Sequence, residues 1–284
     1  MYVVHTIIEL QRRLDEHRAN GESIGLVPTM GALHEGHASL VSRSVAENDV
    51  TVVSIFLNPT QFNDKSDLER YPRTLDADCR LLETCDVTGS SIIVFAPSVG
   101  EVYPEPDNRH FSYPPTDSVM EGAFRPGHFN GVCQVVSKLF MYSHPTRAYF
   151  GEKDYQQIAV IRRMVDDLEF PLQIVPCPVV REESGLAMSS RNTLLTAEER
   201  ILAANIYRVL RESLSLDASV KETHDFVVRT LDAIPGLQVQ YYNIVDGDTL
   251  ADVSDWDEAQ SVVGCITVYC GSTPIRLIDH IRYK

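Results

Sequence analysis

Ile24-Gly25-Leu26-Val27-Pro28-Thr29-Met30-Gly31-Ala32-Leu33-His34-Glu35-Gly36-His37 opens with a short apolar run and ends on two histidines framed by glycines. Residues 24–27 read as a buried strand. Leu40, Val41 and Val45 then recur at helical spacing, which predicts a helix over 36–47. The histidines therefore stand at a strand-to-helix turn, where backbone N–H groups and the positive end of the helix dipole face outward. That is an anion site with two imidazoles added. A His-x-x-His pair alone more often decorates a surface, packs in a core or supplies half of a metal site. The glycines, which permit close backbone approach, and the preceding strand favour a ligand. Zinc lacks a nearby third ligand at familiar spacing, and there is no Cys-x-x-Cys.

The pattern around this turn alternates. Helices are expected over 7–18, 74–84, 130–142 and 154–168, and strands over 50–56, 92–95, 148–150 and 172–175. Such alternation with short links predicts a Rossmann-like, doubly wound parallel sheet of the α/β class, with ligands at the carboxyl ends of its strands. Pro176 and Pro178 then punctuate the chain, and a polar loop runs over 181–191. Helical patterns over 196–214 and 220–233 precede antiparallel strand patterns over 237–245, 262–269 and 275–279. Two domains are expected: residues 1–177 for nucleotide and substrate, and residues 178–284 as a smaller α+β lid. Residues 104–115 read as a surface loop.

Composition narrows the partners. The chain has 284 residues, with 25 Lys and Arg against 40 Asp and Glu, and a formal net charge of −15. Long-range electrostatics of that sign oppose nucleic acid and anionic membrane. An acidic protein that handles a phosphorylated ligand must gather its cations locally. The amphipathic N-terminus is not a secretory h-region, and no apolar run approaches a membrane span. The six cysteines, at 79, 85, 133, 177, 265 and 270, follow no disulfide or zinc spacing. They suit a reducing compartment, so the cytoplasm is expected.

Polar clusters follow the strand ends. Pro59 breaks a strand and presents Asn58 and Gln61, neutral amides suited to hydroxyl and carboxylate groups. Gly151-Glu152-Lys153-Asp154 follows another strand, with Asp154 as an expected helix cap, Lys153 as a phosphate partner and Gln157 one turn further on the same side. A solvated helix start fits that segment about equally well. Met188-Ser189-Ser190-Arg191 offers two hydroxyls and a guanidinium in a loop able to close, although alone it reads as an ordinary linker. Glu121-Gly122-Ala123-Phe124-Arg125-Pro126-Gly127-His128-Phe129 gives a cationic turn, with Arg125 holding loops by salt bridges.

Taken together and in this order, PTMGALHEGH, FLNPTQF, YPRT, EGAFRPGHF, YFGEKDYQQ and MSSRN resemble the pantothenate synthetases, the AMP-forming pantoate–β-alanine ligases. The likeness is densest from 24 to 195, and the first motif belongs to the wider HIGH-type nucleotidyltransferases. The resemblance implies that ATP, with Mg2+, activates pantoate as pantoyl adenylate, and that β-alanine then displaces AMP. It implies ATP contacts over Met30, Gly31, Ala32, Leu33, His34, Glu35, Gly36 and His37, with His34 and His37 on the phosphates and His37 as proton donor. Gly151, Glu152, Lys153 and Asp154 would hold nucleotide, with Lys153 on phosphate. Val180 would meet adenine, and Met188, Ser189, Ser190 and Arg191 would form the closing loop. Gln61 and Gln157 would bond pantoate, Gln61 also lying near β-alanine, while Pro28 and Met30 would line the wall for its methyl groups. A homodimer is implied, and Val132 and Leu139 are open to either core or interface.

Two loops, 87–91 and 109–119, depart from the family pattern. In Asp76-Ala77-Asp78 the alanine interrupts an acidic cluster, so no protein ligand for Mg2+ is assigned. Outside the resemblance, the same residues also suit transfer of a nucleotidyl group to a phosphate ester, or a nucleotide sensor. The paired glutamines and Met30 favour a small carboxylic acid.

Overall fold

The structure is a computed structural model that describes residues 1–63, 65–86 and 91–284. Most of the 87–91 departure lies outside the described residues. Among the described residues, nine strands form two sheets. β1 (Tyr2–Val4), β2 (Ile24–Thr29), β3 (Val50–Ile55), β4 (Ser91–Phe95), β5 (Arg147–Gly151) and β6 (Gln173–Cys177) make a parallel sheet in the order β1-β4-β3-β2-β5-β6. β7 (Leu237–Asp246), β8 (Val262–Cys270) and β9 (Ile275–Arg282) form an antiparallel sheet. From β2 the chain winds outward through β3 and β4 on one side and through β5 and β6 on the other. The doubly wound α/β expectation is therefore met, with its switch point between the carboxyl ends of β2 and β5.

Strand periodicity assigns the two faces. Leu26, Val52, Ile93, Phe95, Ala148 and Phe150 enter a core shared with α1 (Ile7–Ala19), α7 (His128–Ser143) and α8 (Tyr155–Asp167). Their neighbours Val27, Val53, Ile92, Val94 and Tyr149 point the other way, onto α2 (Glu35–Glu47) and α4 (Leu75–Glu83). Val132 and Leu139 are 2% and 3% exposed, so they are interior residues. A third core joins the antiparallel sheet to α9 (Ala197–Ala203), α10 (Asn205–Ser213) and α11 (Val220–Asp232). Short helices α3 (Lys65–Arg70), α5 (Val99–Val102) and α6 (Glu121–Phe124) and the edge strand β1 carry too few residues for a periodic signal.

Three local expectations are corrected. The single helix over 196–214 divides at Ala204, where the Asn205 side chain donates to the Leu202 carbonyl at 2.9 Å and competes with the backbone ladder. Asp154 occupies the cap position of α8 without a side-chain cap bond, and its carboxylate lies 3.6 Å from Lys153 Nζ. The 104–115 loop is strapped down as well as exposed. Arg109 donates to the Gln134 carbonyl at 3.1 Å and to Ser137 Oγ at 3.0 Å, and Phe111 and Tyr113 pack on the first core.

A buried polar knot fixes α2 on the sheet. Asn48 Nδ2 donates to Tyr149 Oη at 2.7 Å and to the Ser44 carbonyl at 2.8 Å, while Ser44 Oγ meets Thr51 Oγ1 at 2.8 Å. Gly25 leaves the room for it, since a Cβ there would stand 2.1 Å from Ser44 Oγ and 2.6 Å from Asn48 Nδ2. Gly25→Ala is expected to lower the unfolding free energy by about 1–3 kcal/mol through overpacking. Chemical denaturation against the parent chain measures the loss.

Candidate active site

The turn after β2 bends through two consecutive left-handed residues, Gly31 at φ 82° and Ala32 at φ 51°. Only glycine adopts the first without a steric penalty. The second is held by Asp78 of α4, a carboxylate 2% exposed. Its Oδ2 accepts from Ala32 N at 3.1 Å and its Oδ1 from Leu33 N at 2.8 Å, with Thr74 Oγ1 donating at 3.1 Å. Thr29 anchors the turn to β3 by donating to the Ser54 carbonyl at 2.6 Å. Gly36 leaves room for the His34 ring, because a Cβ would lie 2.8 Å from it.

His34 caps α2. Its Nδ1 accepts from Gly36 N at 3.1 Å, and His37 Nδ1 accepts from His34 N at 3.3 Å. A ring nitrogen that accepts carries no proton, so each neutral imidazole bears its proton on Nε2. Burial, then the Lys153 charge, pushes His34 down to about 4, against a smaller opposing pull from Asp154. Burial, His34 and Lys153 in turn push His37 well below the usual histidine range. With ring centroids 4.1 Å apart, the two are neutral N–H donors at physiological pH, not cations.

One pocket opens at the switch point. It is lined by Pro28, Met30, His34, Gly36 and His37 from the β2 turn and by Gly151, Lys153, Asp154 and Gln157 after β5. Gln61 closes one side, and Val180, Met188, Ser189, Ser190 and Arg191 close the other. Five expected residues stand off the lining: Gly31, Ala32 and Leu33 shape the turn, Glu35 is exposed in the first turn of α2, and Glu152 lies 4.0 Å from Arg282. A Cβ on Gly151 would meet open space, so the pocket reaches the backbone there.

The 181–191 loop is a braced hairpin. Arg181 pairs with Ala187 across it, and Met188 N donates to the Val180 carbonyl at 3.0 Å. The Arg181 guanidinium grips Asp279 at 2.6 and 2.9 Å and lies 3.5 Å from the Tyr207 ring. Ser190 Oγ donates to the Ala32 carbonyl at 3.0 Å, so this loop already spans from the antiparallel unit to the histidine turn.

Asn58 is fully buried and lines the pocket beside Gln61. Its Nδ2 donates to the Gly131 carbonyl and to Gln61 Oε1, both at 3.1 Å, and its Oδ1 accepts from Tyr103 Oη at 2.9 Å. The carbonyl can only accept, which fixes the Asn58 amide and, through it, the Gln61 amide. Gln61 Nε2 lies 3.2 Å from Met30 Sδ. Beyond Pro28 and Met30, sequence reasoning missed the α7 part of the apolar lining, Val132, Val135, Val136 and Leu139. Their stripe was visible, but nearly all of α7 is buried, and helical periodicity does not separate core from cavity wall. Tyr71, within the YPRT stretch, also lines it.

Among the described residues no three His, Cys, Asp or Glu side chains gather as a metal cage, and Asp78 spends both oxygens on the turn. The protein alone therefore does not fit a magnesium site.

A family model described as pantoate–β-alanine ligase matches residues 2–282. The chain is 62% identical to a pantothenate synthetase of Bacteroides fragilis, covering 100% of this chain and 99% of that one. Its fold is similar to a crystal structure of pantothenate synthetase from Thermus thermophilus (TM-score 0.90, 43% identity, 100% and 99% covered). It is also similar to pantoate–β-alanine ligase from Francisella tularensis, complexed with β,γ ATP and β-alanine (TM-score 0.83, 34% identity, 100% and 98% covered). The chain belongs to the pantoate–β-alanine ligase family.

Asp78→Ala strips the acceptor from two turn amides, a loss of about 1–3 kcal/mol for each group left buried and unsatisfied. We expect lower thermal stability and a larger fractional loss of pantothenate formation than Gly25→Ala produces. Melting and steady-state assays on both variants provide the check.

Proposed function

We propose that this ligase condenses pantoate with β-alanine by way of pantoyl adenylate, with ATP as the activating substrate. The observation that carries the proposal is one pocket that gathers the donors His34, His37, Lys153, Ser189, Ser190 and Arg191 together with an apolar wall from α7. A carboxylate is a poor acylating agent, and AMP is a good leaving group. In the first step a pantoate carboxylate oxygen attacks the α-phosphorus, the bond from that phosphorus to the bridging oxygen breaks, and pyrophosphate leaves with the electron pair. In the second, the neutral amine of β-alanine attacks the acyl carbon, the bond to AMP breaks, and the nitrogen releases a proton as the amide forms.

Each residue has a role that follows from its chemistry. The Nε2–H groups of His34 and His37 donate to phosphate oxygens. The arriving negative charge raises both imidazoles towards protonation, so positive charge develops only when phosphate is present. Lys153, Ser189, Ser190 and Arg191 complete the phosphate end, with Val180 and Met188 towards adenine. Gly151 and Asp154 hold the nucleotide along the β5 end. Gln61 and Gln157 bond the oxygens of pantoate, while Pro28, Met30 and the α7 stripe enclose its methyl groups. Methyl packing discriminates by only about 1–3 kcal/mol per carbon, so the amides must carry much of the choice. Mg2+, if brought with ATP, would supply charge neutralisation on the phosphates, and no residue here is assigned to hold it.

We further propose a cytoplasmic homodimer. The six cysteines are unpaired, which suits a reducing compartment. No helix among the described residues is long and apolar enough to cross a membrane.

Purified protein should exchange labelled pyrophosphate into ATP when pantoate is added, with no need for β-alanine. His37→Ala should slow that exchange on the order of 10²-fold while melting like the parent. Exchange supported by another acid but not by pantoate would overturn the substrate, and undiminished exchange in the variant would remove His37 from the chemistry.

A further inference from the structure

The EGAFRPGHF stretch lies outside the catalytic roles assigned so far, yet its histidine touches the turn that carries Gln61. His128 opens α7 and is 7% exposed. Its Nδ1 lies 2.8 Å from the Gln61 carbonyl oxygen, and its Nε2 lies 3.2 Å from an Arg125 guanidinium nitrogen. A carbonyl only accepts and a guanidinium only donates. The ring is therefore neutral, with its proton on Nδ1, donating to Gln61 and accepting from Arg125.

Arg125 is itself held. Its guanidinium lies 3.4 Å from Glu121, whose carboxylate also receives the Arg276 fork at 2.7 and 2.6 Å, Tyr241 Oη at 2.7 Å and Thr267 Oγ1 at 3.0 Å. Arg276, Tyr241 and Thr267 all belong to the antiparallel sheet. The chain of bonds thus runs from that sheet through Glu121, Arg125 and His128 to the backbone of Gln61. The same short turn, Pro59–Gln61, presses against α7 at Gly131, where a Cβ would stand 2.4 Å from the Thr60 oxygen. Gln61 is gripped at both ends, by Asn58 on its side chain and by His128 on its main chain.

We propose that His128 is a positioning residue for acid binding, fixing the Gln61 backbone through its Nδ1–H while Arg125 dictates the tautomer. This rests on the reading of Gln61 as a pantoate ligand. The two nitrogens can be separated by substitution. Asparagine places an N–H donor near the Nδ1 position and loses the acceptor for Arg125. Glutamine reaches the Nε2 position and loses the donor to Gln61.

His128→Asn should keep the KM for pantoate within about threefold of the parent, whereas His128→Gln should raise it about tenfold, the scale of one buried hydrogen bond. The KM for ATP should stay level in both, and both should melt within a few degrees of each other. Equal effects of the two variants on the pantoate constant, or parallel changes in the ATP and pantoate constants, overturn the proposal and leave His128 a packing residue. Gln61→Ala, which must raise the pantoate KM and leave the ATP KM level if Gln61 bonds pantoate, tests the underlying reading separately, so the two failures are distinguishable.

Discussion

The pocket depends on one buried carboxylate. Two consecutive left-handed residues at Gly31 and Ala32 reverse the chain after β2, and for Ala32 that conformation costs about 1–2 kcal/mol. Asp78 offsets it by accepting the Ala32 and Leu33 amides, which would otherwise lack a partner on the sheet or in the helix. With the turn set, His34 falls at the cap of α2, His37 follows one turn on, and the Ala32 carbonyl faces Ser190 of the closing hairpin. One side chain thereby settles the shape of the turn that carries both histidines.

A chain with net charge −15 that must hold a triphosphate faces an electrostatic conflict. Packing permanent cations into the pocket would make them repel one another in its absence. His34, His37 and Lys153 show how the conflict is eased. Burial, helped by Lys153, holds both imidazoles neutral, so the empty site carries the Lys153 charge beside the partial charges of the α2 terminus and N–H dipoles, in place of three full charges. Phosphate reverses the balance, because an adjacent anion favours the protonated ring. Attraction then grows on binding, when the opposite charge is present.

The sheet was legible because parallel strands buried on both faces leave uninterrupted apolar runs, as at Ile92, Ile93, Val94 and Phe95. The histidine turn was legible because glycine and a strand-to-helix change are local signals. What escaped was non-local. Nothing near Asp78 in sequence reveals that it serves a turn 45 residues away from it at Leu33. Gly36 also makes room for the His34 ring, a packing need that its sequence neighbours do not show. The α7 stripe looked like core, and it is core along most of its length; its role as cavity wall depends on which strand ends lie opposite. The break at Ala204 turned on one side-chain bond that periodicity does not register.

The hydrogen-bond polarity of Gln61 bears on which group of which substrate it meets. Because the Gly131 carbonyl accepts from Asn58, the Asn58 amide must also donate to Gln61 Oε1, and Gln61 is left with its Nε2–H2 on the pocket side. That donor rests against Met30 sulfur, a weak acceptor. A carboxylate or hydroxyl oxygen replaces a thioether at this position with a stronger bond, so binding an oxygen acid gains at a point where the empty pocket is poorly satisfied. An ammonium group would have to share Oε1 with Asn58 and would face the N–H2 side as a donor against a donor. Gln61 therefore discriminates by direction as well as by composition. That polarity supports the proposed role of Gln61 toward the oxygens of an acid.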